Sequence, residues 1–336
     1  MIRVLVVDDS EFARKLIALM LESDPEIQVV DTAKDGYEAL QKVVALGPDV
    51  VTMDLNMPVM DGIEALRRIM ASKPVPVIVF AAEDERSDKA LEALALGAVD
   101  FLAKSKGRLT QTARVELVAK VKAAASAKVK VQVPERALAV KATPRRTARV
   151  VVAIGASTGG PSAVERIVAA LPGDLPAGLL ITQHMPPGFT ASFAKRLDRH
   201  SSLEVREAHG GEALLEGLAL VAPGDSHIVI SPEGRVTCDH SPAQYIPCID
   251  VMMYSVAESF GPRTVGIVLT GMGNDGTRGM AAIRAAGGRT IVQDEATSVV
   301  FSMPRSVIES GHAEHVLPLD RIPSAVQELV NHILPK

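Results

Sequence analysis

Short, nearly unbroken apolar runs separated by helical patterns recur along this chain, and that alternation confines it to the α/β class. The runs Ile2–Val7, Ile27–Val30, Val50–Met53, Pro76–Phe80 and Val99–Leu102 predict parallel strands covered on both faces. Helical patterns at Phe12–Leu21, Tyr37–Leu46, Ile63–Met70 and Lys89–Leu96 lie between them, and a further helix is expected over residues 110–125. Strands alternating with helices in this way predict a doubly wound parallel sheet. The pattern restarts after Arg149, with strands at Val150–Ile154, Gly178–Thr182, Leu218–Val221, Ile228–Ile230, Val265–Leu269 and Arg289–Val292. Helices at Ser162–Leu171, Ala191–Arg199, Asp250–Phe260 and Thr277–Ala286 separate these strands, and a small antiparallel portion is expected around residues 203–240.

A length of 336 residues agrees with two such domains. Between them, residues 120–149 hold Lys120, Lys122, Lys128, Lys130, Arg136, Lys141, Arg145, Arg146 and Arg149 against one acid, Glu135. With no sustained apolar period, such a segment buries too little surface to offset its ordering entropy. The expected organisation is a domain at 1–122, a flexible basic linker at 123–147 and a second domain at 148–336. A net charge of -4 gives no pull toward nucleic acid or an anionic membrane, and no apolar run reaches the length of roughly 18 residues that spans a bilayer. Cys238 and Cys248, the two cysteines, make no disulfide framework. A cytoplasmic monomer is the expectation.

Asp8 and Asp9 stand at the carboxyl end of the first predicted strand, Asp54 at the end of the third and Lys104 at the end of the fifth. In an open α/β sheet that edge is where ligands bind. Three converging carboxylates call for a cation, and hard oxygen donors with open positions suit Mg2+. Together with a lysine they make a phosphoryl-transfer site. The plainer reading is that Ser10, preceded by Asp9, and Asp61 merely cap helices. The combination of Val7-Asp8-Asp9-Ser10, Met53-Asp54-Leu55-Asn56-Met57-Pro58-Val59-Met60-Asp61-Gly62 and Gly97-Ala98-Val99-Asp100-Phe101-Leu102-Ala103-Lys104 resembles the receiver domains of two-component response regulators. The resemblance implies a flavodoxin-like fold, phosphorylation of Asp54, Mg2+ held by Asp8, Asp9, Asp54 and the backbone carbonyl of Asn56, and a phosphate contact from Lys104. Receivers carry Ser or Thr where this chain has Ala81, and proline where it has Ser105. The absent hydroxyl implies weaker activation by phosphorylation.

In the second domain a predicted strand runs into Gly155-Ala156-Ser157-Thr158-Gly159-Gly160 and then Pro161 at a helix start. This strand–turn–helix with G-x-S-x-G is the arrangement of a nucleophile elbow, although a glycine-rich phosphate cradle would look the same. Helix N-terminal N–H groups there, notably that of Thr158, can stabilise an oxyanion. His184 ends the second strand of this domain, and Asp275 lies in the loop after the strand Val265–Leu269. Ser157, His184 and Asp275 at three strand ends fit a nucleophile, a base and a residue that orients the base. The same loop also spells Gly271-x-Gly273-x-x-Gly276 with Asp294 and Glu295 some way on, as a dinucleotide site would. Asp275 inside the loop would repel a pyrophosphate, and that reading leaves the elbow and His184 unexplained.

Four motifs in order are similar to the catalytic domains of the CheB family of chemotaxis methylesterases. They are Ile154–Gly160, Ile181–Thr190, Ala222-Pro223-Gly224-Asp225 and Leu269–Gly276. The resemblance implies hydrolysis of glutamate γ-methyl esters on chemoreceptors, deamidation of receptor glutamines, a Ser157–His184–Asp275 triad and a backbone oxyanion contact from Met272. It implies no cofactor for the esterase chemistry, methyl-accepting chemoreceptors as substrates and a histidine kinase as phosphodonor. The run Tyr245-Ile246-Pro247-Cys248-Ile249-Asp250 departs from the family's usual one, which bears on substrate preference. The alternative is a catalytically weak response regulator that docks to receptors or another signalling complex.

Overall fold

The computed structural model describes residues 1–82, 87–104, 111–127 and 146–334. The chain divides into two compact units, Met1–Pro134 and Glu135–Lys336. Most of the stretch expected as a linker, residues 128–145, lies outside the described residues, as does Ser105.

The first unit alternates β1 (Ile2–Val7), α1 (Glu11–Glu22), β2 (Ile27–Ala33), α2 (Gly36–Leu46), β3 (Val50–Asp54), α3 (Gly62–Ser72), β4 (Val77–Ala82), α4 (Ser87–Ala95), β5 (Asp100–Lys104) and α5 (Gln111–Ala125). Its strands form one parallel sheet in the order β2-β1-β3-β4-β5. The order reverses between β1 and β3, so a crevice opens at their carboxyl ends. Side-chain oxygens of Ser10, Asp35 and Asp61 accept from Ala13, Glu38 and Glu64 N–H at the starts of α1, α2 and α3. The capping expected of Ser10 and Asp61 is therefore present, and Asp8, Asp9 and Asp54 lie outside it. Lys120 and Lys122, which open the basic stretch, belong to α5, within the helix expected over residues 110–125. Lys120 bonds the Asp100 carboxylate and the Phe101 carbonyl, and Lys122 pairs with Asp24 and Glu26.

After β3 the Met60 N–H turns back to the Pro58 carbonyl at 2.7 Å, which puts Val59 at φ 67° with its side chain 90% exposed. A β-branched residue in that conformation is strained by about 1–3 kcal/mol, and nothing packs on it in return. Val59→Gly is expected to stabilise the unit by about 1 kcal/mol after glycine's extra chain entropy is set against the relief. A urea melt checks this, and an unchanged or lower midpoint would show that the turn stores no strain.

The second unit contains β6 (Val151–Ala156), α6 (Gly160–Ala170), β7 (Gly178–Gln183), α7 (Phe189–His200), β8 (Glu204–Glu207), β9 (Leu218–Val221), β10 (His227–Ile230) and β11 (Val236–Asp239). There follow α8 (Ile249–Phe260), β12 (Thr264–Val268), α9 (Thr277–Ala285), β13 (Arg289–Gln293), α10 (Ser302–Glu309), β14 (His315–Leu317) and α11 (Ile322–Ile333). Seven strands make a parallel sheet in the order β14-β13-β12-β6-β7-β9-β8. The antiparallel portion is smaller than the region 203–240: among the described strands β10 and β11 pair that way, with an antiparallel bridge between Ala213 and Arg235 beside them. Strands β8 and β9 instead extend the parallel sheet, because Leu218–Val221 is buried on both faces between β7 and β8. Strand β14 has three residues, only partly covered, at the sheet edge, and no apolar run announces it. The order places β12, β6 and β7 side by side, so the loops after these three strands open onto one rim. No helix among the described residues is long and apolar enough to cross a membrane.

Candidate active site

Ser157 follows a strand whose six residues are all buried, and the chain must turn sharply there to enter α6. Gly159 supplies φ +76° at the helix start, with Pro161 in the first turn. The turn is held through main-chain groups. Ser157 N–H donates to the Thr270 carbonyl at 3.1 Å, and the Ser157 carbonyl accepts from Gly160 N–H at 2.7 Å. Gly271 runs so close beneath that a Cβ there would lie 2.8 Å from Ser157 Cβ and 2.3 Å from Met303 Sδ. Ser157 itself stays half-buried at the rim.

His184 is the first residue past β7, its N–H donating to the Ala156 carbonyl at 3.1 Å. Gln183 ties the two strand ends together, since its Nε2 donates to the carbonyls of Ser157 at 2.9 Å and His184 at 3.1 Å. The His184 ring bonds Asp275 Oδ2 through Nε2 at 2.8 Å, which fixes the proton on that nitrogen and leaves Nδ1 as the acceptor. Tyr245 lies flat on the imidazole, with centroids 4.7 Å apart and the planes inclined by 13°.

Asp275 is 3% exposed, and donors surround its carboxylate. Ile249 N–H donates to Oδ2 at 2.7 Å; Asp250 and Gly276 N–H each donate to Oδ1 at 2.9 Å, and the Cys248 thiol approaches Oδ1 at 3.4 Å. Two of those N–H groups are the first of α8, so its positive end faces the carboxylate. Burial works to raise the Asp275 carboxyl, but the His184 hydrogen bond and charge, with the Ile249 and Asp250 amides, hold it below the ordinary range. Burial first, and then Asp275, push the Cys248 thiol up to about 11, so it stays a neutral donor. Burial, followed by the Asp275 charge, also raises the Tyr245 phenol.

Of the two expected oxyanion residues, Thr158 is buried at the elbow and its carbonyl accepts from Thr270 Oγ1 at 2.9 Å. Met272 is half-buried in the loop after Gly271. Behind both lies a buried brace, where Thr270 N–H donates to Gln293 Oε1 at 2.8 Å and Thr270 Oγ1 accepts from Val300 N–H at 2.9 Å. Tyr245, Cys248, Gln183, Thr270 and Gln293 escaped the sequence reading as individual residues. The departure at 245–250 was the signal for the first two; the others are common polar residues whose value comes from what they reach.

The dinucleotide reading of Gly271–Gly276 meets a physical obstacle. Three amides at the start of α9 are already taken, Gly276 N–H by Asp275, Thr277 N–H by the Asn274 carbonyl at 3.2 Å and Gly279 N–H by Asp250 Oδ1 at 2.7 Å. Asp294 is likewise spent on Thr297, accepting from its N–H at 3.0 Å and its hydroxyl at 2.6 Å.

In the first unit, carboxylate oxygens of Asp8, Asp9 and Asp54 lie within 4.8 Å of one another. Lys104 Nζ reaches Asp8 at 2.8 Å and Asp54 at 3.0 Å. Burial, reinforced by the neighbouring Asp8, raises the Asp54 carboxyl in spite of Lys104. Burial acts to lower the Lys104 ammonium, but Asp54 and Asp8 outweigh it and its pKa is raised. Asn56 Oδ1 accepts from Lys89 Nζ at 3.2 Å. Ala81 is buried at the end of β4, paired with Ala103.

Known proteins carry the same two parts. A sequence model of the CheB methylesterase family matches residues 152–326, and one of the response regulator receiver domain matches residues 4–116. A protein-glutamate methylesterase/protein-glutamine glutaminase of Symbiobacterium thermophilum is 48% identical, the match covering 98% of this chain and 97% of that one. Its counterpart in Pyrococcus abyssi is 45% identical over 99% of this chain and 94% of its own. The crystal structure of the Thermotoga maritima CheB methylesterase catalytic domain shares 44% identity and a TM-score of 0.53, covering 54% of this chain and 98% of that one. The chain belongs to the CheB methylesterase family, with a response regulator receiver domain ahead of its methylesterase domain.

Proposed function

We propose that this protein hydrolyses glutamate γ-methyl esters on methyl-accepting chemoreceptors and deamidates receptor glutamines, with Ser157, His184 and Asp275 as its triad. The observation that carries the reading is the His184–Asp275 pair, set on strand ends beside the elbow and caged by donors. Ser157 Oγ attacks the ester carbonyl while His184 Nδ1 takes its proton, and N–H groups of Thr158 and Met272 face the developing oxyanion. Collapse returns the proton to the leaving methoxide, giving methanol, and water then frees the acyl-enzyme by the same route. A glutamine side chain follows the same path and releases ammonia.

The receiver supplies control. Three acids against Lys104 leave a charge excess that a hard divalent cation would offset, so the donors fit Mg2+ held by Asp8, Asp9, Asp54 and the Asn56 main-chain carbonyl. Bound there, Mg2+ would offset charge on the phosphoryl group passing from a histidine kinase to Asp54, with Lys104 as the protein's own contact to it. The setting proposed is the cytoplasm, with residues 123–147 as tether between domains 1–122 and 148–336 and one copy of the chain sufficing.

The raised Asp54 carboxyl has a thermodynamic consequence. Its folded pKa exceeds the unfolded one, so its ionisation costs stability as pH rises through the window between them, and the cost is fully present above the folded pKa. Asp54→Asn is therefore expected to raise the melting temperature of the metal-free protein by a few degrees at pH values above that window. Mg2+ should raise the wild-type value more than the variant's. A lower melting temperature in the variant, with equal Mg2+ shifts in both, would count against the site.

The reading as a whole is tested by methanol release from methylated receptor, with and without a small phosphodonor and Mg2+. Release that the phosphodonor increases is expected. No release in any condition would leave the docking protein as the better account.

A further inference from the structure

The imidazole of His184 is restrained at one edge by Asp275, at 2.8 Å, and over one face by Tyr245, at 4.7 Å between centroids. A single hydrogen bond leaves a ring free to tilt about it; a second ring lying nearly parallel removes that freedom. Tyr245 is itself well fixed. Its hydroxyl sits against the Gly273 turn, where an added Cβ would be 2.9 Å from Oη, so no other side chain fits between them. Three residues on, Cys248 N–H donates at 2.9 Å to Nδ1 of His227, a buried histidine whose Nε2 donates to the Ser241 carbonyl at 2.9 Å. The chain from Ser241 to Cys248 is thus stapled through His227, and the aromatic ring is carried on that staple.

We infer that Tyr245 is a positioning residue for His184, its ring face holding the imidazole and favouring its protonated form during acyl transfer. The inference rests on the triad reading above. When Ser157 Oγ–H breaks and Nδ1–H forms, the imidazole becomes a cation lying against the negative face of a π system. Such a cation is attracted by the ring quadrupole without any proton passing to the phenol. The interaction exists only while His184 is charged, so it lowers the barrier rather than tightening substrate binding. The face of the ring matters here and the hydroxyl does not.

The test compares Tyr245→Phe, Tyr245→Leu and Tyr245→Ala with wild type in the full chain. Turnover of p-nitrophenyl acetate and methanol release from methylated receptor are measured beside thermal melts. Tyr245→Phe should keep kcat within about twofold, while the Leu and Ala variants lose about tenfold in kcat with KM nearly unchanged. Leucine fills much of the same volume, so a loss in Tyr245→Leu without a drop in melting temperature separates the ring face from packing. The inference is overturned if Tyr245→Leu matches wild type, if Tyr245→Phe falls as far as Tyr245→Ala, or if the loss appears in KM alone. Wild-type protein inert toward both esters would overturn the triad reading along with it, whereas an active wild type with indifferent variants would overturn this inference only.

Discussion

Ser157→Ala is expected to lower kcat for ester hydrolysis by a factor on the order of 10^6 and to leave the fold intact. The two expectations have separate causes. The hydrogen bonds that hold position 157 run through its main chain, to Thr270, Gly160 and Gln183, and alanine keeps all three. What disappears is Oγ, the proposed nucleophile. Oxyanion donors and substrate binding remain, so a residue of catalysis over water should persist. Methanol release and a thermal melt, run on the same preparation, read the two expectations separately. Release within tenfold of wild type would remove Ser157 from the mechanism. Unimpaired receptor signalling by the variant would point instead to a docking role.

Asp275→Asn is expected to cost about 10^4 in kcat, and unlike the serine variant it should also destabilise the domain by about 2 kcal/mol. All the groups around this carboxylate donate: the His184 ring, the amides of Ile249, Asp250 and Gly276, and the Cys248 thiol. An asparagine must turn its NH2 toward one side of that cage. Facing His184, it makes Nε2 an acceptor and drives the ring proton to Nδ1, the nitrogen that takes the serine proton in the proposed mechanism. Facing the other side, it sets N–H against the amides of Asp250 and Gly276. The first orientation produces the wrong tautomer and also strands the Ile249 amide, and the second leaves the Asp250 and Gly276 amides unpaired. Single-turnover acylation by p-nitrophenyl acetate, with a urea melt alongside, measures both losses. A variant within tenfold of wild type would mean that Asp275 does not set the tautomer.

Much of this was legible in the sequence because the relevant physics is local. A strand buried on both faces must be largely apolar, so Val50–Met53, with Thr52 its one polar residue, and Val150–Ile154 reveal themselves by composition, and the polar residues at the end of such a strand are already near the rim. That is why Asp8, Ser157 and His184 could be placed without coordinates. Two kinds of feature resisted. One was the state of residues whose partners are distant in the chain. Lys120 was legible as part of a helix, but nothing local told that it folds against Asp100 and Phe101. The other was the second layer around the site. Gln183 carries no signal for reaching two carbonyls at once, and Thr270 and Gln293 acquire theirs only when β12 and β13 pair. The antiparallel portion was drawn too large for a related reason, since a short apolar run such as Leu218–Val221 suits either pairing direction until its neighbour is known.

The cage around Asp275 also bears on how this protein can change over generations. Three of its five donors are main-chain amides, which no side-chain substitution can delete unless it introduces proline. The amides' share in holding the carboxylate ionised is therefore kept through most point mutations at positions 249 and 250, whereas Gly276, at φ +91°, takes no side chain without strain. Side chains on the approach to α8 can drift, altering what the cleft admits, while the acid at its base keeps its ionisation. A lineage can in this way explore new substrates along that segment without first losing the chemistry.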